Sequence, residues 1–231
     1  MIRTVRECYI LWATVRPAWC ANRLRIAGNS WLKTANKPKR VNVKVAVSFP
    51  EHEKELKTLL KDTAEIIMVG ENRPGVTYPF YQLTSELHAA DDSIVILASD
   101  DIMAIPYWDA WVSHHFDEFD GCLLVNDGYQ SGSCVTLPIL TFSCLLKLNR
   151  ILYHPAYYRA FSDSELYDVL EEMKLLKNLR LENQPTFEHI HWAGAKRGPD
   201  EWDKRVVNFF AADKETYERR KRMSLLEKLK V

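Results

Sequence analysis

Two adjacent carboxylates, Asp100 and Asp101, follow directly on the apolar run SIVILAS (93–99). Neighbouring carboxylates repel, and a site that keeps both ionised usually supplies a cation. A hard divalent ion such as Mg²⁺ or Mn²⁺, shared with substrate phosphates, suits such oxygens. A plainer role is also open, in which the pair caps and opens the next helix, since Asp91 and Asp92 form a similar pair that reads as a turn. Other groups suited to chemistry are Thr14 and Arg16 in ATVRP (13–17), Asp163 and Glu165 in SDSEL (162–166), the pair His189 and His191, and the cations Lys196 and Arg197. A guanidinium such as that of Arg16 makes paired, charge-assisted hydrogen bonds to phosphate, although it also serves as an ordinary exposed loop cation. Asp163 or Ser162 reads as the N-cap of a helix, and an aspartate at a helix start could also accept a proton, two compatible roles. His189 and His191 would share one face of a strand, a metal-ligand spacing, and otherwise are two half-buried side chains. Trp108, Asp109 and Trp111 come just after the carboxylate pair. Trp111 is expected in the core, while Trp108 stays open between core packing and stacking on a sugar or base.

Such groups need a scaffold, and hydrophobic periodicity supplies one. Strands are predicted at 8–14, 41–48, 65–70, 93–99 and 121–126, with a turn at Asp127-Gly128 after the last. Helices are predicted at 18–35, with a break near Gly28, and at 51–63, 78–90, 107–119 and 163–178. The stretch 135–148 mixes both signals, and 213–230 reads as a helix of alternating charge. Strand alternating with helix implies right-handed βαβ units and an α/β fold with a mainly parallel sheet flanked by helices. Ligands of such sheets bind outside the carboxyl ends of the strands, where Asp100 and Asp101 would lie. No repeat, low-complexity segment or flexible linker interrupts the chain, so one domain over 1–231 is expected, with a helical tail at about 203–231.

Composition excludes several classes. The chain is 47% hydrophobic and 11% aromatic, which excludes disorder. Its formal net charge of +0 gives no global field for nucleic acid or membranes, though local patches remain open. Five scattered cysteines with no C-x-x-C pair argue against a disulfide framework or zinc knuckle and for a reducing, cytoplasmic setting. The basic, briefly apolar start is read as the first strand and not as a signal peptide. No apolar run approaches the roughly 20 residues that cross a bilayer.

Taken in order, ATVRP after the first strand, GVTYPFYQLTSELHAADDSIVILASDD, PYWDAW, HPAYYRAFSDSELYDV and FEHIHWAGAKRGPDEW resemble a GT-A fold glycosyltransferase related to family 2. More narrowly, they resemble the compact versions encoded by bacteriophages. The resemblance implies a transferase that uses a nucleotide-diphosphate sugar, of the UDP-sugar type, with Mn²⁺ or Mg²⁺. It implies that Asp101 binds the metal bridging the two phosphates and that Asp100 contacts the nucleoside or donor sugar. Thr14 and Arg16 would embrace the base and pyrophosphate, His189 or His191 would complete the metal shell, and Lys196 or Arg197 would close over the pyrophosphate. Asp163 would be the base of an inverting transfer, with Glu165 as the second acid. The sequence departs from the pattern at Val15, where a second basic residue is common, at Ser162, where Glu is usual, and after the second strand, where SFPEHE offers no acid before Glu51.

Phage relatives imply an acceptor such as a hydroxymethylpyrimidine base in DNA, within a host cell cytoplasm. KTANKPKR (33–40) and RRKR (219–222) are candidate DNA-facing segments, and equally a solvated surface and a salt-bridged helix. A glycan or protein acceptor is the alternative, with His154, Tyr157 and Tyr158 on the acceptor side by position. Two other functions are set against this one. A nucleotidyltransferase of the same fold would carry a glycine-rich phosphate loop after the first strand, and ATVRPAW has no glycine. A non-catalytic module that only binds nucleotide-sugar would not need Asp100, Asp101 and Asp163 together.

Overall fold

The computed structural model describes residues 5–14, 21–48, 53–69, 75–128, 132–180, 187–190, 204 and 207–231. The first half follows the expected alternation. Strand β1 (Cys8–Thr14), helix α1 (Ala21–Thr34), β2 (Val41–Val47), α2 (Glu53–Leu60), β3 (Glu65–Met68), α3 (Thr77–Ser85) and β4 (Ile94–Leu97) succeed one another. After them come β5 (Ile102–Ala104), α4 (Trp108–His115), β6 (Cys122–Leu124), β7 (Ile139–Thr141), α5 (Phe142–Lys147) and α6 (Ser162–Glu172). The described chain ends with β8 (Leu176–Asn178), β9 (Phe187–His189), α7 (Phe210–Arg220) and α8 (Leu225–Lys228).

Seven strands form the central sheet in the order β3-β2-β1-β4-β7-β6-β8. The pairs β1/β2, β2/β3, β1/β4 and β6/β8 are parallel, whereas β7 runs antiparallel to both β4 and β6. All four residues of β4 are buried, as its continuous apolar run requires of a strand covered on both faces. Alternation along β1 divides the core: Cys8, Ile10 and Trp12 join one apolar cluster and Leu11 joins the other. The chain steps outward from β1 through β2 to β3, then returns to place β4 on the other side of β1. The carboxyl ends of β1 and β4 therefore flank the switch point at which such sheets bind ligands.

Several expectations are corrected. Helix α1 has no break at Gly28; a Cβ there would stand 2.5 Å from Thr63 Cγ2 and 2.9 Å from the Trp12 ring. The glycine lets the helix lie close on β1. Asp100 and Asp101 form a turn that leads into β5, so they do not cap a helix. The mixed stretch 135–148 resolves into β7 and then α5, whose N-cap Thr141 accepts from Cys144 N–H. The helix expected to reach residue 178 stops at Glu172; Lys174 adopts φ +57, and Leu176–Asn178 joins the sheet edge instead.

Of the two tryptophans, the one left open is the core residue, and the one expected in the core only packs against it. Trp108 is fully buried, donates from Nε1 to Trp31 O at 2.8 Å and meets the Trp31 ring edge-on, whereas Trp111 is only partly buried. Asp109 is buried beside them and accepts from the N–H groups of Asn36 (2.6 Å) and Lys37 (2.8 Å). Among the described residues, no helix is long and apolar enough to cross a membrane. Cys8, Cys122, Cys134 and Cys144 are buried free thiols, and Cys20 lies outside the described residues.

Candidate active site

The side of the candidate site that carries Asp101 and His189 is built by sheet register. Beyond β4, Ala98 N–H donates to Leu11 O at 3.0 Å, and the chain turns so that Ile102 N–H reaches Ser99 O at 3.2 Å. That turn presents Asp101, whose carboxylate accepts from the Ser99 hydroxyl and is only 5% exposed. The short antiparallel pair β5/β9 sets Ile102 opposite His189, and Ile190 N–H donates to Asp101 O at 2.7 Å. As a result His189 Nε2 stands 3.6 Å from Asp101 Oδ1. On the other side of the ring, Nδ1 lies 2.9 Å from Oδ2 of Asp127. With Asp127 ionised, its carboxylate can only accept, so this geometry assigns the proton to Nδ1 and turns Nε2 toward Asp101.

A separation of 3.6 Å is too long for a hydrogen bond. Two ligands each about 2.1 Å from one ion can stand up to about 4.2 Å apart, so the pair fits a shared divalent cation. Carboxylate and imidazole are both ordinary ligands for Mn²⁺, and phosphate oxygens and water commonly fill the rest of such a shell. Among the described residues no group of three or more His, Cys, Asp and Glu forms a metal cluster. Among the described residues, Asp101 and His189 are the pair that this edge could offer to such an ion, and His191 lies outside the described residues.

Beside them, Asp100 Oδ2 lies 3.4 Å from Nε of Arg23 on α1. Arg23 was not singled out from the sequence, where it is one cation among several on a predicted helix. The signal it gave was its place in the first turns of the helix after β1, which the topology brings to the β4 edge. Thr14 ends β1 opposite Val47. Arg16, Lys196 and Arg197 lie outside the described residues.

The side that carries Asp163 is built differently. Asp163 stands in the first turn of α6, but neither it nor Ser162 is the cap; that position belongs to Phe161, at φ +62. Asp163 Oδ1 accepts from Ser164 N–H at 2.9 Å, and its backbone carbonyl accepts from Val135 N–H at 3.1 Å. Burial pushes the Asp163 carboxyl above its ordinary range, against the opposing pull of backbone hydrogen bonds and the Arg180 guanidinium. That direction suits a general base, whose pKa works best near the operating pH. One loop joins the two sides: Val135 holds Asp163, while the next residue, Thr136, donates to Asp127 Oδ2 at 2.7 Å. Arg180 fixes this loop through the carbonyls of Val125 (3.2 Å), Gly132 (2.6 Å) and Cys134 (2.9 Å).

Glu165 is corrected from a second acid of the reaction to a structural one. It is buried and takes Nε of Arg220 on α7 at 2.9 and 3.1 Å, while Arg220 Nη2 donates to Lys228 O at 2.9 Å. Asp213, also on α7 and buried, accepts from the N–H groups of Tyr158 (2.8 Å), Arg159 (2.9 Å) and Ala160 (2.8 Å). From the other side Val76 N–H donates to Tyr158 O at 2.9 Å and the Thr77 hydroxyl to Tyr157 O. The loop that delivers Asp163 is therefore gripped between α3 and α7. His154 and Tyr157, placed on the acceptor side by position, are buried within this grip. His154 Nε2 meets Lys230 O at 2.7 Å, and burial lowers its pKa to about 4. Tyr158 is half-buried and stacks on Phe209.

No protein-family model and no curated protein matches this sequence. Solved structures do match. Residues 1–349 of S. aureus TarS in complex with UDP-GlcNAc align with a TM-score of 0.63 at 12% identity, over 96% of this chain and 69% of that one. The mannosyltransferase PcManGT from Pyrobaculum calidifontis, in complex with GDP-Man and Mn²⁺, aligns at 0.61 and 14%, over 94% of this chain and 65% of that one. A 4-diphosphocytidyl-2C-methyl-D-erythritol synthase from Anaerococcus prevotii aligns at 0.54 and 8%, over 76% and 87%. The chain spans 36% of the longer TarS structure. At these identities the likeness is one of architecture, and the sheet order, the lone antiparallel β7 and these neighbours together give the chain the GT-A glycosyltransferase fold.

Proposed function

We propose that this chain is a metal-dependent glycosyltransferase that moves a sugar from a nucleotide-diphosphate sugar to an acceptor hydroxyl. The observation that carries the reading is the Asp101–His189 pair, 3.6 Å apart at the carboxyl end of β4, beside the switch point of the sheet. A divalent ion held there would neutralise the charge that develops on the departing nucleotide diphosphate. Asp100, oriented by Arg23, faces the donor, and Thr14, Arg16, Lys196 and Arg197 complete the donor contacts in this reading. Asp163 takes the proton of the acceptor hydroxyl as that oxygen bonds to the anomeric carbon and the carbon–oxygen bond to the diphosphate breaks. Attack from the face opposite the leaving group inverts the anomeric centre. The finer donor assignment is a UDP-sugar, and the setting is a cytoplasm that keeps the buried thiols reduced.

A nucleotidyltransferase shares this architecture, as the synthase neighbour illustrates. The absence of glycine from ATVRPAW disfavours it, because a phosphate cradle made of backbone amides needs that close approach. For the acceptor, a hydroxymethylpyrimidine base in phage DNA rests on the motif resemblance. Of the two basic segments, 219–222 keeps Arg219, Lys221 and Arg222 exposed. Arg220 is buried against Glu165, and residues 33–40 precede β2, at the opposite edge of the sheet. Seven residues of β2 set that segment about 20 Å from the carboxyl edge.

The test is a screen of nucleotide-sugars for Mn²⁺-dependent hydrolysis and transfer, with hydroxymethylated DNA, plain DNA, glycans and peptides as acceptors. Wild-type protein should turn over at least one donor only with metal, and Asp101→Ala should lose both turnover and metal-dependent nucleotide binding while remaining folded. Unchanged nucleotide affinity in Asp101→Ala would remove the metal site from the reading.

A further inference from the structure

We infer that Asp127 is a positioning residue that sets His189 as a metal ligand, an inference that rests on the metal site proposed above. In the sequence Asp127 opens a turn, and the structure keeps that turn, with Gly128 at φ +69 and its N–H on Asn126 Oδ1 at 2.8 Å. Yet Asp127 is 0% exposed, unlike an ordinary turn aspartate. A carboxylate so placed is costly unless it is well paired. Its Oδ2 takes His189 Nδ1 at 2.9 Å and the Thr136 hydroxyl at 2.7 Å, and its backbone carbonyl takes His189 N–H at 3.1 Å. One residue therefore fixes both the ring and the backbone of His189.

The two contacts do different work. The backbone bond seats the end of β9 against the chain leaving β6, and the carboxylate selects the ring's tautomer and rotation. With the proton on Nδ1, the ring turns Nε2 toward Asp101, the side on which the ion would be shared. A carboxylate behind the ring also holds its orientation toward the ion, and loss of such a support weakens metal binding. The Thr136 hydroxyl orients the carboxylate in turn, and Val135 beside it holds the Asp163 backbone, so the metal and base sides share one support.

Mn²⁺ binding to nucleotide-free protein, read from the electron paramagnetic resonance signal of free Mn²⁺, tests this without turnover. Asp127→Asn keeps the volume and a hydrogen-bonding oxygen but not the charge. It should weaken Mn²⁺ about 10- to 100-fold, with an unfolding midpoint in EDTA close to that of the wild type. His189→Ala, measured alongside, separates the two levels of the argument. If His189→Ala loses Mn²⁺ and Asp127→Asn binds it like the wild type, Asp127 does not position the ligand and the metal site stands. If His189→Ala also binds normally, the metal site and the inference fall together. A second measurement needs no variant: nitrogen NMR of the metal-free wild type should show His189 protonated at Nδ1, with Mg²⁺ shifting the Nε2 resonance. An Nε2–H tautomer would overturn the inference.

Discussion

The two sides of the candidate site are held by different means. On the metal side, Asp101, Asp127 and His189 each come at or just beyond the end of a short strand, and strand register places them. On the base side, Asp163 ends a loop whose backbone is set by Asp213, which lies 53 to 55 residues away in sequence from the amides it holds. Side chains on the first side can change affinity while the sheet stays intact. On the second, buried charges fix both the fold and the pose of the base, so stability and turnover should fall together. The comparison shows that the C-terminal helices are part of the site's framework.

The largest expected effect is at the proposed base, Asp163. Asp163→Asn should lower transfer by about 10²- to 10⁴-fold while leaving donor and Mn²⁺ binding in place. It should also flatten the pH dependence of stability. Because the folded-state pKa of Asp163 is raised, its contribution is present below the ordinary carboxylate value and is lost as pH rises through the raised one. Asparagine does not titrate, so the variant should gain on the wild type between those two points. Denaturant unfolding at successive pH values checks the sign. A variant that turns over normally would return Asp163 to a structural role.

Next comes the buried pair that ties α6 to α7. Arg220→Met leaves Glu165 buried without its partner and should cost about 3–5 kcal/mol of stability, with loss of transfer at temperatures where the loop loosens. The double variant Glu165→Gln with Arg220→Met should recover much of that stability. If Arg220→Met were as stable as the wild type, the tail would not brace the base side, and the contrast between the two sides would collapse.

A smaller effect belongs to His154, which holds Lys230 O from beneath the same loop. Its folded pKa is about 4, below the ordinary 6.5, so its contribution is present above pH 6.5 and is lost as pH falls toward 4. Across that window the loss amounts to about 3 kcal/mol. His154→Gln should remove this part of the acid sensitivity, and an unchanged slope would place the acid-sensitive contact elsewhere.

The same contrast decides what could be read in the sequence. Strands β1 to β4 and the helices between them were legible because long apolar runs and helical spacings are local signals. Asp101 was legible for the same reason, as charge placed at the end of such a run. Strands of three residues, such as β5 and β9, carry no periodicity, so the pairing that brings His189 to Asp101 was not visible. Asp127 looked like any turn aspartate, because burial is a property of the tertiary fold. Glu165 and Arg220 are 55 residues apart, and nothing local distinguishes a buried ion pair from a solvated charged helix. Lys174 ended a helix in a left-handed conformation without the glycine that usually marks one.

The smallest expected effect is at the exposed cations Lys33, Lys37 and Lys39, which the structure sets at the edge of the sheet away from Asp101. Reversing all three to Glu should change stability by no more than about 0.5 kcal/mol for each site, because their side chains are exposed and the bond from Lys37 to Asp109 is made by its backbone N–H. Transfer to a small acceptor should be unchanged. The informative case is a hydroxymethylated DNA acceptor at low salt, where a surface that holds phosphates would release counterions and show steep salt dependence. These cations lie about 20 Å from the carboxyl end of β2, so the triple variant should also modify DNA at the wild-type rate, with the same salt slope. A slower reaction with a shallower slope would mean that DNA wraps from this edge to the site, and that both edges of the sheet belong to one functional surface.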